Sequence, residues 1–149
     1  AGGSHTCAVV NGGAKCWGNG IDGQLGNGAN SNSNIPLDVT GLSSGVTAIS
    51  VDGGVNACAI VSGGAKCWGR GSDEESLGNG AHNDSNVPVD VTGLSSGVTA
   101  ISTGGSNACA VVGGAVKCWG YGIEGGEEAI RAGVFQTISI ITTTGYATA

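Results

Sequence analysis

The string CAVVNGGAKCWG at residues 7–18 returns as CAIVSGGAKCWG at 58–69 and as CAVVGGAVKCWG at 109–120. Cys7, Cys58 and Cys109 are spaced by 51 residues, and so are Cys16, Cys67 and Cys118. A second block, VTGLSSGVTAIS, occupies 39–50 and 91–102 at a spacing of 52. Repetition at a fixed period of this length means that one supersecondary unit stacks on copies of itself, because a single unit cannot bury its own apolar face. A period near 50 residues lies in the range of β-propeller blades.

The content of each repeat supports strands. Segments 46–51, 57–61, 65–69 and 87–91 are short, rich in β-branched residues and bounded by Gly or Asn. No window carries a 3.6-residue apolar period of useful length. Four short strands per repeat is the make-up of one propeller blade. The expected fold is therefore all-β, with about three antiparallel four-stranded blades. Repeats are expected at 1–45, 46–97 and 98–133, the last degenerate, with tail strands at 134–149. The polar, Gly- and Asn-rich stretch 19–34 reads as a surface loop. The chain's length of 149 residues makes this one domain or a piece of a larger one.

The two Cys of each repeat flank a turn dipeptide: Asn11-Gly12, Ser62-Gly63 or Gly113-Gly114. Asn-Gly is a strong signal for a two-residue type I′ hairpin. Counting outward from that turn sets Cys7 opposite Cys16 at a non-hydrogen-bonded pair, where Cα atoms lie about 4.5 Å apart. A disulfide accepts roughly 4.4–6.8 Å. The same register predicts Cys58–Cys67 and Cys109–Cys118. Each bridge closes a short loop, worth roughly 2.5–3 kcal/mol on the chain-entropy model. Disulfides are expected over free buried thiols and over zinc, whose paired Cys ligands sit two to four residues apart. They imply an oxidising, secreted setting.

Trp17, Trp68 and Trp119 each follow the second Cys and face away from it by strand alternation. One Trp per repeat reads as blade-to-blade packing. Lys15, Lys66 and Lys117 recur beside them, with stems placed to cover the rings. No catalytic constellation is present, and an enzyme is not expected. His5 stands where the other repeats have Asn56 and Asn107, and His82 lies in a polar loop. No G-x-S-x-G elbow or P-loop occurs. Asp73, Glu74 and Glu75 cluster without calcium-loop spacing, so no metal or other cofactor is expected. The net charge of −6 argues against a nucleic-acid partner. No apolar run is long enough for a membrane-spanning helix.

The period, CWG-x-G, GQLGNG at 23–28, IPLDVTGL at 35–42 and VTAIS at 46–50 resemble the regulator of chromosome condensation repeat family. The resemblance covers residues 1 to about 122. It implies propeller blades in which VTAIS is the inner strand and the Cys hairpin supplies the next two. Family members are typically seven-bladed, and this chain has about three repeats. Its Cys-paired hairpins resemble the secreted bacterial branch. The second repeat replaces GQLGNG with EESLGNG at 74–80, and the third has EEAIRA at 127–132 in place of that loop. The exchange-factor and chromatin roles of some members are thereby disfavoured, and the protein-binding role of others is favoured.

The first repeat lacks its own inner strand, whereas 134–141 (VFQTISII) aligns loosely with VTAIS. The leading expectation is an extracellular structural protein. In it the tail strand of one copy, with Val134, Phe135, Ile138 and Ile140, completes the first blade of the next in a ring or filament. The alternative is a secreted binding module, possibly a piece of a longer propeller, presenting Asp22, Gln24, Asp73, Glu74 and Glu75 to a protein or glycan. The absence of an initial Met and of a leader fits a processed chain or an excised fragment. Thiol titration of the denatured, unreduced protein should find no sulfhydryl; finding six would remove both the disulfides and the secreted reading.

Overall fold

A computed structural model describes residues 2–51, 55–71 and 76–120. These form ten strands and, among the described residues, no helix: β1 (His5–Val10), β2 (Gly13–Gly18), β3 (Ser33–Asp38), β4 (Val46–Val51), β5 (Asn56–Val61), β6 (Gly64–Gly69), β7 (Ser85–Asp90), β8 (Val98–Gly104), β9 (Asn107–Val112) and β10 (Ala115–Gly120). Three antiparallel sheets result, ordered β1-β2-β3, β4-β5-β6-β7 and β8-β9-β10. The expected strand at 46–51 is β4, and the strand expected at 87–91 begins and ends earlier, as β7.

The hairpin turns have the anticipated chemistry. Asn11 and Gly12 sit at φ 51° and 78°, Ser62 and Gly63 at 51° and 82°, and Gly113 and Gly114 at 57° and 82°. Positive φ at both central residues defines type I′, whose twist matches that of the flanking strands. The register follows, with Cys7 opposite Cys16, Cys58 opposite Cys67 and Cys109 opposite Cys118. All three pairs are disulfide-bonded, with Cα atoms 4.1, 4.0 and 4.0 Å apart.

Each sheet has two unlike faces, because side chains alternate along a strand. On the middle sheet, Cys58, Ile60 and Cys67 turn toward the third sheet and join a core with Leu77, Val91, Leu94, Ala108 and Ala110. Ala57, Ala59 and Trp68 turn the other way and join a core with Cys7, Cys16, Leu25, Val39 and Leu42 of the first repeat. The cystine face of one sheet therefore packs on the alanine–tryptophan face of the next. Alanines allow a close approach of the two sheets, and the single indole fills the remaining volume.

The linker after each outer strand returns beneath its own hairpin before starting the next sheet. Ala14 N–H donates to Leu42 O (2.8 Å), Val39 N–H to Ala14 O (3.0 Å) and Val46 N–H to Gly12 O (2.9 Å). One repeat later Ala65, Val91 and Val98 donate in the same way to Leu94, Ala65 and Gly63, at 2.8, 3.0 and 2.9 Å. Inner strands also meet across the blades, where Ser50 Oγ and Thr103 Oγ1 lie 3.1 Å apart. The proposed tail strands at 134–149, with Val134, Phe135, Ile138 and Ile140, lie outside the described residues. So do Asp73, Glu74 and Glu75.

Candidate functional site

The Trp-Gly dipeptide ends the second strand of every hairpin. Gly18 has φ 108°, and a Cβ there would lie 2.8 Å from Ser4 O and 2.9 Å from His5 Cα. Only glycine lets the chain pass that close. The same crossing positions the Trp before it, at a register shift between β2 and β3 and again between β6 and β7.

Trp68 shows what the ring is for. It is fully buried, and its Nε1–H donates to Gln24 O of the preceding repeat at 3.0 Å. Its ring lies on Gly26, where a Cβ would stand 2.7 Å from Nε1 and 2.9 Å from Val39 Cγ1. Gly26 also has φ 66°, so its missing side chain serves both the turn and the indole seat. Trp119 repeats the arrangement on Gly78 (φ 71°), where a Cβ would lie 2.8 Å from both Cδ1 and Nε1, and 2.9 Å from Val91 Cγ1. Trp119 is only partly buried, and its Nε1 has no hydrogen-bond partner among the described residues. The Leu-Gly-Asn-Gly loop of one repeat is thus a socket for the indole of the next.

Trp17 occupies the same place in the first sheet. No described loop covers it, and Thr6, Ala8 and Trp17 are half-buried. Their counterparts Ala57, Ala59 and Trp68 are completely buried. Strand β1 is likewise an edge, pairing only with β2 among the described strands. Val9 is 39% exposed, against 3% for Ile60 at the matching position of β5, which has β4 beside it. Among the described residues, the first sheet is open both at its face and at its edge.

The remaining sequence candidates are placed as follows. Gln24 is fully buried, with Oε1 accepting from Asp22 N–H at 2.8 Å, so its side chain braces the loop from inside. Asp22 is half-buried beside Ile21, which is 60% exposed. Lys15 and Lys66 form ion pairs with Asp38 and Asp90 at 2.6 and 2.5 Å across to the outer strands. These pairs were not anticipated, although the recurrence of Lys-Cys-Trp with Pro-x-Asp was a usable signal. Exposed pairs of this kind contribute about 0–1 kcal/mol. The ring of Trp68 is covered by the preceding loop. A groove of about 460 Å³ beneath the first hairpin tip is lined by Lys15, Asp38, Thr40 and Leu42, among others.

His5 is buried with neither ring nitrogen hydrogen-bonded among the described residues. It faces Gly18 across β1–β2, as Asn56 faces Gly69 and Asn107 faces Gly120. Burial holds its pKa below the usual 6.5.

Residues 11–61 match the family described as the regulator of chromosome condensation (RCC1) repeat. Among solved structures, the chain is similar to human WBSCR16, with 27% identity and a TM-score of 0.72, covering 83% of this chain and 32% of that one. It is similar in fold to yeast RCC1 (Prp20) bound to Kap60, at 19% identity and a TM-score of 0.63, covering 82% and 31%. A second structure, of Prp20p from Saccharomyces cerevisiae, was reported with its binding properties to Gsp1p and histones. It matches at 19% identity and a TM-score of 0.63, covering 83% and 32%. The chain thus spans about a third of the length of these proteins. No curated protein sequence matches it.

Two measurements test the site. Trp68→Ala should cost about 3–5 kcal/mol of folding stability, the usual range for a buried Trp truncation. Trp17→Ala should cost less than about 1 kcal/mol, as expected away from a packed core. Urea unfolding of both variants checks this, and equal losses would contradict the description of Trp17 as open. The second concerns His5. Imidazolium is disfavoured in the folded protein and not in the unfolded chain, so the unfolded chain binds more protons below pH 6.5 and stability falls as pH is lowered through that region. His5→Asn, the residue of the other repeats, should flatten the dependence.

Proposed function

We propose that this chain, whose repeats are of the regulator of chromosome condensation family, is a non-enzymatic extracellular binding module that takes up a protein partner's strand along β1. The observation that carries this reading is the open edge of the first sheet. In the middle sheet the inner strand β4 covers β5, with Ala48 opposite Ile60, Ile49 opposite Ala59 and Ser50 opposite Cys58. The first sheet has the same β1-β2-β3 arrangement without that strand among the described residues. An exposed row of backbone donors and acceptors is a template for an added strand. Three disulfides support an oxidising compartment. The acidic balance supports protein or glycan over nucleic acid. The yeast relatives named above are described in complex with, or binding to, other proteins, in keeping with a binding role.

A second reading keeps the donor within the species. Segment 134–141 of another copy would lie along β1, its Ile138 and Ile140 taking the places of VTAIS residues, and head-to-tail repetition would give a ring or filament. The alignment of 134–141 with VTAIS favours it.

The alternation set at the Asn11-Gly12 turn points the N–H of Val9 away from β2. Val9→Pro therefore removes an edge donor while sparing the hairpin. A synthetic peptide of sequence 45–52 should bind the wild-type chain and lose at least about tenfold in affinity for the variant, one or two lost hydrogen bonds at roughly 1 kcal/mol each. Equal binding to both, or to neither, would reject strand addition. Light scattering on the full chain and on a chain lacking 134–149 separates the readings. Only self-association predicts a mass that grows with concentration and falls to one chain on deletion.

A further inference from the structure

The end of the sheets that carries the hairpin turns and the linkers differs in kind from the end that carries the long loops. Residues 38–50 and 90–102 are identical in sequence. At the loop end, 29–35 and 81–87 differ at positions 30, 31, 32 and 35, and 70–80 is one residue longer than 19–28. Burial explains the identity of Val39, Leu42 and Val46 with Val91, Leu94 and Val98. Positive φ, 77° at Gly41 and 78° at Gly45, explains the glycines. Neither explains Thr40, Ser43 and Ser44, or their copies Thr92, Ser95 and Ser96. These side chains are exposed, and none of their hydroxyls has a hydrogen-bond partner among the described residues. Exposed polar residues that stay fixed while other surface positions drift mark a binding surface.

The groove of about 460 Å³ lies at this end, where Asn11, Thr40 and Ser43 stand beside the Lys15–Asp38 pair. The second repeat keeps the same wall. Ser62, Thr92 and Ser95 are exposed, and the Asp90 carboxylate of the Lys66–Asp90 pair is 82% exposed, against 84% for Asp38. That hairpin has the preceding linker packed against it, with Ser62 N–H donating to Gly45 O at 2.8 Å. The open wall is therefore a property of the repeat and persists beside a neighbouring blade. We propose that the two walls, at Asp38–Ser44 and Asp90–Ser96, bind successive stretches of one uncharged polysaccharide chain. Residues 39–47 and 91–99 contain no ionisable side chain, and each flanking ammonium is paired with a carboxylate, so a charged ligand meets no net counter-charge. A sugar ring presents hydroxyls that both donate and accept. Ser and Thr hydroxyls and the Asn11 amide do the same, and the Asp carboxylates accept. The groove volume lies in the range of small-ligand sites. Two like walls one repeat apart suit a ligand that itself repeats. No aromatic ring lines the groove, so stacking adds nothing and one wall alone binds weakly. Two walls on one polymer multiply that affinity. This surface is separate from the edge of β1.

The test is native affinity electrophoresis of the full, unreduced chain in gels containing a mixed-linkage β-glucan, a galactomannan or a dextran, with hyaluronan as the charged control. At least one neutral polymer should retard the chain, and hyaluronan should not. Retardation by none of the three, or by hyaluronan as strongly, would overturn the proposal. A tetrasaccharide cut from the retarding polymer then locates the sites by amide chemical shifts. It should perturb 40–44 and 92–96 together, and perturbation confined to 19–34 and 76–84 would also overturn it. Asp38→Ala and Asp90→Ala change exposed side chains, and unchanged thermal unfolding confirms that the fold is kept. Each should abolish the tetrasaccharide shifts at its own wall alone, and each should weaken polymer binding at least about tenfold, because two-point attachment is lost. Polymer binding that neither variant weakens would reject the two-wall arrangement. Val9→Pro should leave all of these results unchanged, which keeps this test independent of strand addition along β1.

Discussion

Everything in this structure depends on an indole seated on a glycine of the neighbouring repeat. The sheets are thin on one side, where Ala57 and Ala59, or Ala108 and Ala110, let backbones come close. Such a face has little apolar area of its own, and burial stabilises in proportion to area. Trp68 supplies the missing area in one residue, and Gly26 supplies the room for it. The hydrogen bond from Nε1 to Gln24 O fixes the ring in one orientation and satisfies the buried indole N–H. Loop 19–34 is thus part of the core on its inner side while its outer side, at Ile21, stays in solvent.

The disulfides work on the opposite face. Each joins neighbours in a hairpin whose turn already holds them in register, so each locks a local choice and sets no long-range topology. The order of sheets is set by the linkers, whose bonds to the hairpin interior repeat atom for atom from Ala14 and Leu42 to Ala65 and Leu94. This division explains how a chain with only six aromatic residues holds three stacked sheets.

Much of this was legible in the sequence. The cystine register follows from the turn dipeptide and strand alternation, which act over ten residues, and the strands follow from β-branched runs between glycines. What the sequence left open acts over longer distances. Trp68 meets Gln24 and Gly26 across more than forty residues, and the co-occurrence of a Trp-Gly with a Leu-Gly per repeat hints at the contact without giving its direction. Gln24 looked like a displayed polar residue because its burial depends on the neighbouring sheet. The Lys–Asp pairs were hidden by the long loop between hairpin and outer strand, which leaves their register undefined until the sheet is built. His5 reads as an ordinary exchange for Asn until its ring is seen buried without partners.

The bonds from Val46 N–H to Gly12 O and from Val98 N–H to Gly63 O tie the tips of the first two hairpins to the first strand of the sheet that follows. A hairpin of this chain is not finished when its own residues have been made; its tip waits for a strand more than thirty residues downstream. Tension applied to the two ends of the chain passes through these tethers one after another, and each disulfide withholds its ten-residue loop from the extension. The molecule is mechanically a series of short, length-limited links.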